Sequence, residues 1–328
     1  MVKLKEKISE LFHPVEEKLF TRKGRNTSVL FFIVSAFLLF NAVGFFSIMH
    51  KRPSSMHMSA QCSRACVALN YYEQDMNFFT PRYQVGLKGE NYTGLEFPLV
   101  YYTAAVMYKM FGFHDSYLRW IHLVLTVFGL VFAYLLSVCF SKNRLLSLLL
   151  MGVAVLSPVF LFYTPNFMPD TSSVALIMAS WYFLFRYIQQ GRTVFLNAWM
   201  LFSTLGILIK ASAAMCYGVL VVLLVLDKLR FFRSEGRDVL FPDKWKVVLR
   251  MIVGMILVWA WYKWTVWFAS SQGCTTFLLS SNHYENWDGL INVLHWMKVF
   301  WLWDYFQPEG YVILASILAF VIVFSFLI

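Results

Sequence analysis

Residues 94–114 read Gly94-Leu-Glu-Phe-Pro-Leu-Val-Tyr-Tyr-Thr-Ala-Ala-Val-Met-Tyr-Lys-Met-Phe-Gly-Phe-His114. The fold turns on whether this stretch crosses a membrane or lies against one. From Phe97 to Phe113 it offers about 17 residues, the lower bound for a span. Leu99, Tyr102, Val106 and Met110 recur at helical spacing, Thr103 and Lys109 fall off that stripe, and a carboxylate, Glu96, opens the run. A one-sided apolar stripe with charges near its ends is the pattern of a helix lying in the interface. The stretch belongs to the longest polar interval of the chain, 49–116, which reads as a loop held against one membrane face by the spans around it.

Composition agrees with that frame. Of 328 residues, 59% are hydrophobic and 14% charged, and mean hydropathy is +0.60. Such a composition excludes a soluble domain and points to an all-α polytopic membrane protein. The net charge of +10 is gathered in short loops, so it reports orientation and not nucleic-acid binding. The scattered cysteines imply no disulfide framework. Cys62 and Cys66 are four apart, too far on a helix for an easy bridge, and the Met and His residues near them are commonplace at a membrane exit.

Working outward, the hydropathy predicts about eight spans: 29–48, 117–140, 145–163, 171–188, 194–209, 211–226, 247–268 and 311–328. Seven basic residues stand in 1–27, two close the turn at Lys142 and Arg144, two lie at Arg186 and Arg192, and six run from Lys228 to Lys246. The alternation places these segments and the N-terminus in the cytoplasm, with 49–116 and a second loop, 269–310, outside. No cleavage site follows the basic N-terminus, so the first span is read as uncleaved. The final span lacks a polar flank, and the chain is expected to be a truncated form of a longer one. Asn91-Tyr-Thr93 is a glycosylation sequon on the outer face.

Several stretches, in order, resemble the GT-C glycosyltransferases that use polyprenyl-phosphate sugars, of the protein mannosyltransferase and lipid A aminoarabinose transferase type. Arg64 to Pro81 is similar to that family's first-loop helix and exit. Glu96-Phe-Pro-Leu-Val-Tyr-Tyr is similar to its E-K-P-P-L-x-Y-W, and Tyr108-Lys-Met-Phe-Gly112 with Arg119 to Y-K-L-F-G…R. Ser157-Pro-Val-Phe-Leu-Phe-Tyr to Met168-Pro-Asp170 matches S-P-L-F-L…T-D, and Leu208-Ile-Lys210-Ala matches L-T-K-G. Two departures stand out. The acid that the family carries after its first span is absent from Met56-His-Met-Ser-Ala-Gln-Cys-Ser-Arg64, where Ser63 occupies its expected place. Phe97 replaces the lysine that follows the family's Glu.

The resemblance implies cleavage of a lipid-linked sugar phosphate at the anomeric carbon by an acceptor hydroxyl. That reaction needs a carboxylate for the hydroxyl proton and cations for the leaving phosphate. Asp170 and Lys210 each abut a span in an otherwise uncharged turn, a costly place for a charge without a partner or a task. The catalytic candidates are therefore Asp170 and Glu96, with Ser63 marking the missing acid; the phosphate-binding candidates are Lys210, Arg64 and Lys109. In a purely structural role Asp170 would N-cap 172–188, Glu96 would cap the helix begun by Pro98, and Lys210 would snorkel. No metal site is expected. The donor is a polyprenyl-phosphate sugar, a divalent metal is an optional addition, and the partners are membrane lipid and a lipid, glycan or protein acceptor. The expected location is a bacterial inner membrane with the site facing outward. The rival readings are a degenerate carrier-binding protein and a membrane transporter. A transporter places charges at mid-bilayer, whereas here they stand at span ends.

Overall fold

The computed structural model describes residues 22–54, 56–83, 91–231 and 240–273, with the isolated positions 291 and 295. The expected second loop, the final span, Lys88 and residues 1–21 of the basic N-terminus lie outside them. The chain divides into two compact units, Met1–Leu279 and Ser280–Ile328, and all the helices below belong to the first.

Helix α1 (Arg22–Ala42) runs into a 3-10 turn at Phe45–Ile48. Helices α2 (Met58–Glu73) and α3 (Leu99–Phe111) occupy the first loop. Then follow α4 (Ser116–Ser141), α5 (Arg144–Val155), α6 (Pro158–Tyr163), α7 (Asp170–Gln190) and α8 (Thr193–Ile209). A 3-10 turn at Ala211–Ala214 leads into α9 (Met215–Lys228), and α10 (Lys244–Ser271) follows. No strand occurs among the described residues, only one antiparallel bridge between Arg82 and Tyr92.

Three segments, Ser116–Ser141, Ala211–Lys228 and Lys244–Ser271, are long and apolar enough to cross a membrane. Asn26–Ala42, Arg144–Val155 and Thr193–Ile209 are shorter apolar helices. The expected span 145–163 is broken in two. Pro158 has no N–H to donate to residue 154 and its ring crowds that carbonyl, so the ladder stops. Ser157 then caps α6, accepting from the Phe160 amide at 3.3 Å. Elsewhere the boundaries follow local chemistry. Asn143 accepts from the Leu145 and Leu146 amides to start α5; Gly191, at φ 67°, ends α7 in the left-handed region that glycine tolerates.

Helix α7 is the centre of the bundle, lying between α4 and α8. Its contacts are close because small residues face each other. A Cβ on Gly129 of α4 would run into the Ala175 carbonyl of α7, and one on Gly206 of α8 would crowd Ile177 and the Ser173 carbonyl. Ser173 spans the α7–α8 gap by donating to the Gly206 carbonyl at 2.8 Å. Such small-residue, hydroxyl-bonded contacts suit helices that cannot rely on water to drive them together.

The first loop packs down as a layer of its own. Val67, Ala68 and Tyr71 of α2 are buried against Val100, Tyr101, Ala104 and Tyr108 of α3, over Leu118, Phe167 and Leu176. Met110, Phe111 and Phe113 stay exposed at the far end of α3. Arg119 in the first turn of α4 fastens this layer. It donates to the Lys51 carbonyl at 2.9 and 3.1 Å and to Arg52 at 3.1 Å, and also to the Pro165 carbonyl.

Candidate active site

Glu96 stands just before α3, in a strand of backbone tied to two other helices. The Phe97 amide donates to the Leu208 carbonyl at 3.0 Å. The Leu95 amide donates to Thr265 Oγ1 at 3.0 Å, and Trp261 Nε1 donates to the Leu95 carbonyl at 3.1 Å. Three backbone groups that a loop would give to water are thus used to fix one carboxylate. Its Oε1 accepts from Arg64 Nε at 3.0 Å and from the Tyr101 hydroxyl at 2.8 Å. Tyr101 is 1% exposed. Burial first, and then the neighbouring Glu96 charge, push its phenol well above the ordinary range. It therefore stays protonated and keeps donating.

Asp170 and Lys210 form an ion pair. Asp170 is the first residue of α7, and Lys210 has extended backbone where α8 stops. The antiparallel packing of α7 on α8 brings the start of one beside the end of the other. Their side chains are 24% and 38% exposed, so the pair opens to solvent, yet Asp170 Oδ2 is itself buried and has no hydrogen-bond partner among the described residues. The two ion pairs share a neighbourhood. Phe97 is bonded to Leu208, two residues before Lys210, and the charges of both Asp170 and Arg64 act on the ring of His122 in α4.

Glu96, Arg64, Asp170 and Lys210 are thus gathered from four separate stretches. Ser63 and Lys109 stand apart from them. Ser63 is not on an aqueous loop: it is buried within α2, donates to the Ser59 carbonyl at 2.8 Å and pairs with the Tyr83 hydroxyl at 2.8 Å. Lys109 is exposed near the other end of α3, about 20 Å of helix from Glu96 at 1.5 Å per residue, with its ammonium 5.5 Å from the Tyr72 ring centre. The structural alternatives also change. Pro169 occupies the cap position of α7 and Pro98 that of α3, neither with a side-chain cap bond. Asp170 and Glu96 therefore do not serve as caps. Cys62 and Cys66 form no disulfide among the described residues.

Two members of the site escaped the sequence reading. Nothing in the sequence separates Tyr101 from its neighbour Tyr102, and its bond to Glu96 depends on a turn of helix that only the fold supplies. His122 carries a sequence signal, an ionisable residue within an apolar span. Among the described residues no three His, Cys, Asp or Glu side chains gather to hold a metal. Glu96 and Asp170 each already face a cation.

Residues 96–264 match the family of dolichyl-phosphate-mannose-protein mannosyltransferases. The chain belongs to that family. Membership makes it an integral membrane protein of the GT-C glycosyltransferase class, with a lipid-linked sugar donor in general terms. The match begins on Glu96 and takes in Asp170 and Lys210, while Ser63 and Arg64 precede it. No curated relative and no solved structure matches the chain.

Proposed function

We propose that the protein transfers a sugar from a polyprenyl-phosphate donor to a hydroxyl of a lipid, glycan or protein acceptor on the extracytoplasmic face. The observation that carries this is the half-open Asp170–Lys210 pair beside the buried Arg64–Glu96 pair. Asp170 Oδ2 takes the acceptor's proton as the acceptor oxygen bonds to the anomeric carbon. The bond from that carbon to the phosphate oxygen breaks, and the polyprenyl phosphate leaves with its electron pair. The phosphate goes from one negative charge to two in that step. A lysine and an arginine therefore hold the transition state more tightly than the ground state. Lys210 is the more exposed of the two cations and can exchange Asp170 for the phosphate. Arg64 keeps Glu96 and adds field. Glu96, with Oε1 already accepting two bonds, serves in this scheme to orient Arg64, and Lys109 acts away from the reaction, at the lipid interface.

A second reading, a carrier-binding protein that turns over slowly, is favoured by one observation. The position of the family's first-loop acid is a serine bonded to Tyr83, which cannot act as a base. Purified protein incubated with labelled polyprenyl-phosphate sugars and membrane extract separates the two. Labelled product that disappears with Asp170→Asn supports transfer. Donor binding without labelled product leaves the carrier-binding reading.

A further inference from the structure

We infer that His122 is a positioning residue for Asp170, acting through Ser172; the inference rests on the reading of Asp170 as the base. His122 is fully buried in α4, and its Nδ1 lies 2.7 Å from Ser172 Oγ. Ser172 is likewise fully buried and sits in the first turn of α7, two residues after Asp170. The bond thus ties α4 to the turn that carries the carboxylate.

The unpartnered atoms around this bond set it apart from ordinary helix packing. His122 Nε2, Thr126 Oγ1 and Asp170 Oδ2 are all buried with no hydrogen-bond partner among the described residues. Thr126 is one turn along from His122 on the same face of α4, and one turn beyond it Gly129 brings the α4 backbone onto Ala175. An unpaired buried polar atom is costly, so interiors built only for packing rarely keep three. A polar lining behind the free oxygen of Asp170 is what a hydroxyl-bearing substrate, or the water that precedes it, would satisfy. The close contact of Gly129 with Ala175 sets the α4 and α7 backbones directly against each other. A single side chain on α4 can therefore fix where Asp170 points.

The test uses the full chain in detergent or vesicles with a polyprenyl-phosphate mannose probe. His122→Leu removes the bond while keeping an apolar helix face. It is expected to lower kcat about 100-fold, as misplacement of a reacting group does, while KM for the donor stays within about two-fold. His122→Asn can still bond Ser172 and should retain most of the rate. Ser172→Ala should match His122→Leu, and the double variant should be no worse than either. A His122→Leu protein with unaltered kcat overturns the inference. So does a His122→Asn protein that loses as much as His122→Leu. The same four proteins are compared by melting temperature whether or not transfer is seen. Non-additive shifts support the bond, and additive shifts overturn it. A wild-type chain that transfers no sugar overturns the reading of the site instead.

Discussion

Asp170 and Asp227 are two carboxylates, each paired with a lysine, one half-buried at the start of α7 and the other fully buried at the end of α9. Asp227, in the last turn of α9, is 1% exposed. Its Oδ1 accepts from the Leu240 amide, its Oδ2 from the Phe241 amide at 3.2 Å, and Lys244 Nζ lies 3.2 Å from Oδ2. Both oxygens are occupied, and the partners come from backbone that this acid holds in place. Nearby, Tyr187 of α7 donates to the Asp243 carbonyl, and Asp243 caps α10 by accepting from the Lys246 amide. Asp170 has one oxygen on Lys210, and the other has no hydrogen-bond partner among the described residues. A carboxylate satisfied on both oxygens stabilises a fold. One left half-satisfied beside a partly exposed cation is equipped to accept a proton. The contrast separates structure from chemistry without reference to any relative.

The sharpest way to break the comparison is to neutralise each acid in turn. Asp170→Asn keeps shape and loses basicity, so kcat should fall by about 10²–10⁴, the usual worth of a general base, with donor affinity preserved. Asp227→Asn should leave the kcat of the folded fraction close to wild type. Equal losses of kcat in both variants would erase the distinction.

The cations come next. Lys210→Met should lower kcat by about 10²–10³, the range seen when one donor to a developing anion is removed. It should weaken donor binding as well, since the phosphate carries charge before it leaves. Lys244→Met, beside Asp227, should alter neither quantity. Transfer and donor-binding assays on both variants decide this. A Lys210→Met protein with normal donor affinity would remove the lysine from the phosphate.

Stability inverts the order. Asp227→Ala orphans the Leu240 and Phe241 amides, each buried group costing about 1–3 kcal/mol when left unsatisfied. Its melting temperature should drop further than that of Asp170→Ala, which orphans only a lysine able to reach water. Thermal unfolding of both in the same detergent checks the sign.

How far the sequence could carry these conclusions depends on the residue. That the apolar runs are helices was legible because hydropathy is local; three of them, Ser116–Ser141, Ala211–Lys228 and Lys244–Ser271, are long and apolar enough to cross a membrane. Asp170 and Lys210 were legible because a charge beside an apolar run is conspicuous, and their pairing followed from expected neighbours in the bundle. The rest required distances in space. Glu96 was a candidate from the sequence, but its placement is not local: bonds from Leu95 to Thr265 and Trp261, some 170 positions away in the chain, hold its backbone. His122 matters only because Gly129 lets α4 reach α7. The break at Ser157-Pro158 was legible but outvoted by the hydropathy of the run around it. Ser63 was misplaced for the opposite reason: polar neighbours suggested a wet loop, where the fold supplies a helix under Tyr83.

That burial decides the smallest of the expected effects. If the protein lacked a base only because Ser63 replaces an acid, Ser63→Asp should restore one at little structural cost. The surroundings argue otherwise. Ser63 is 2% exposed and its hydroxyl has two partners, the Ser59 carbonyl and Tyr83. A carboxylate there would face that carbonyl, an acceptor that repels it, with only the Tyr83 hydroxyl to receive a bond from. Arg64, next in sequence, is held at Glu96. Ser63→Ala should therefore cost about 1 kcal/mol, one net hydrogen bond, and leave kcat unmoved. Ser63→Asp should cost more stability than Ser63→Ala and still give no gain in kcat. Melting temperatures and transfer rates of the two variants, measured side by side, settle the point. A Ser63→Asp protein that melts like wild type and transfers faster would return the base to α2 and reduce Asp170 to a partner of Lys210.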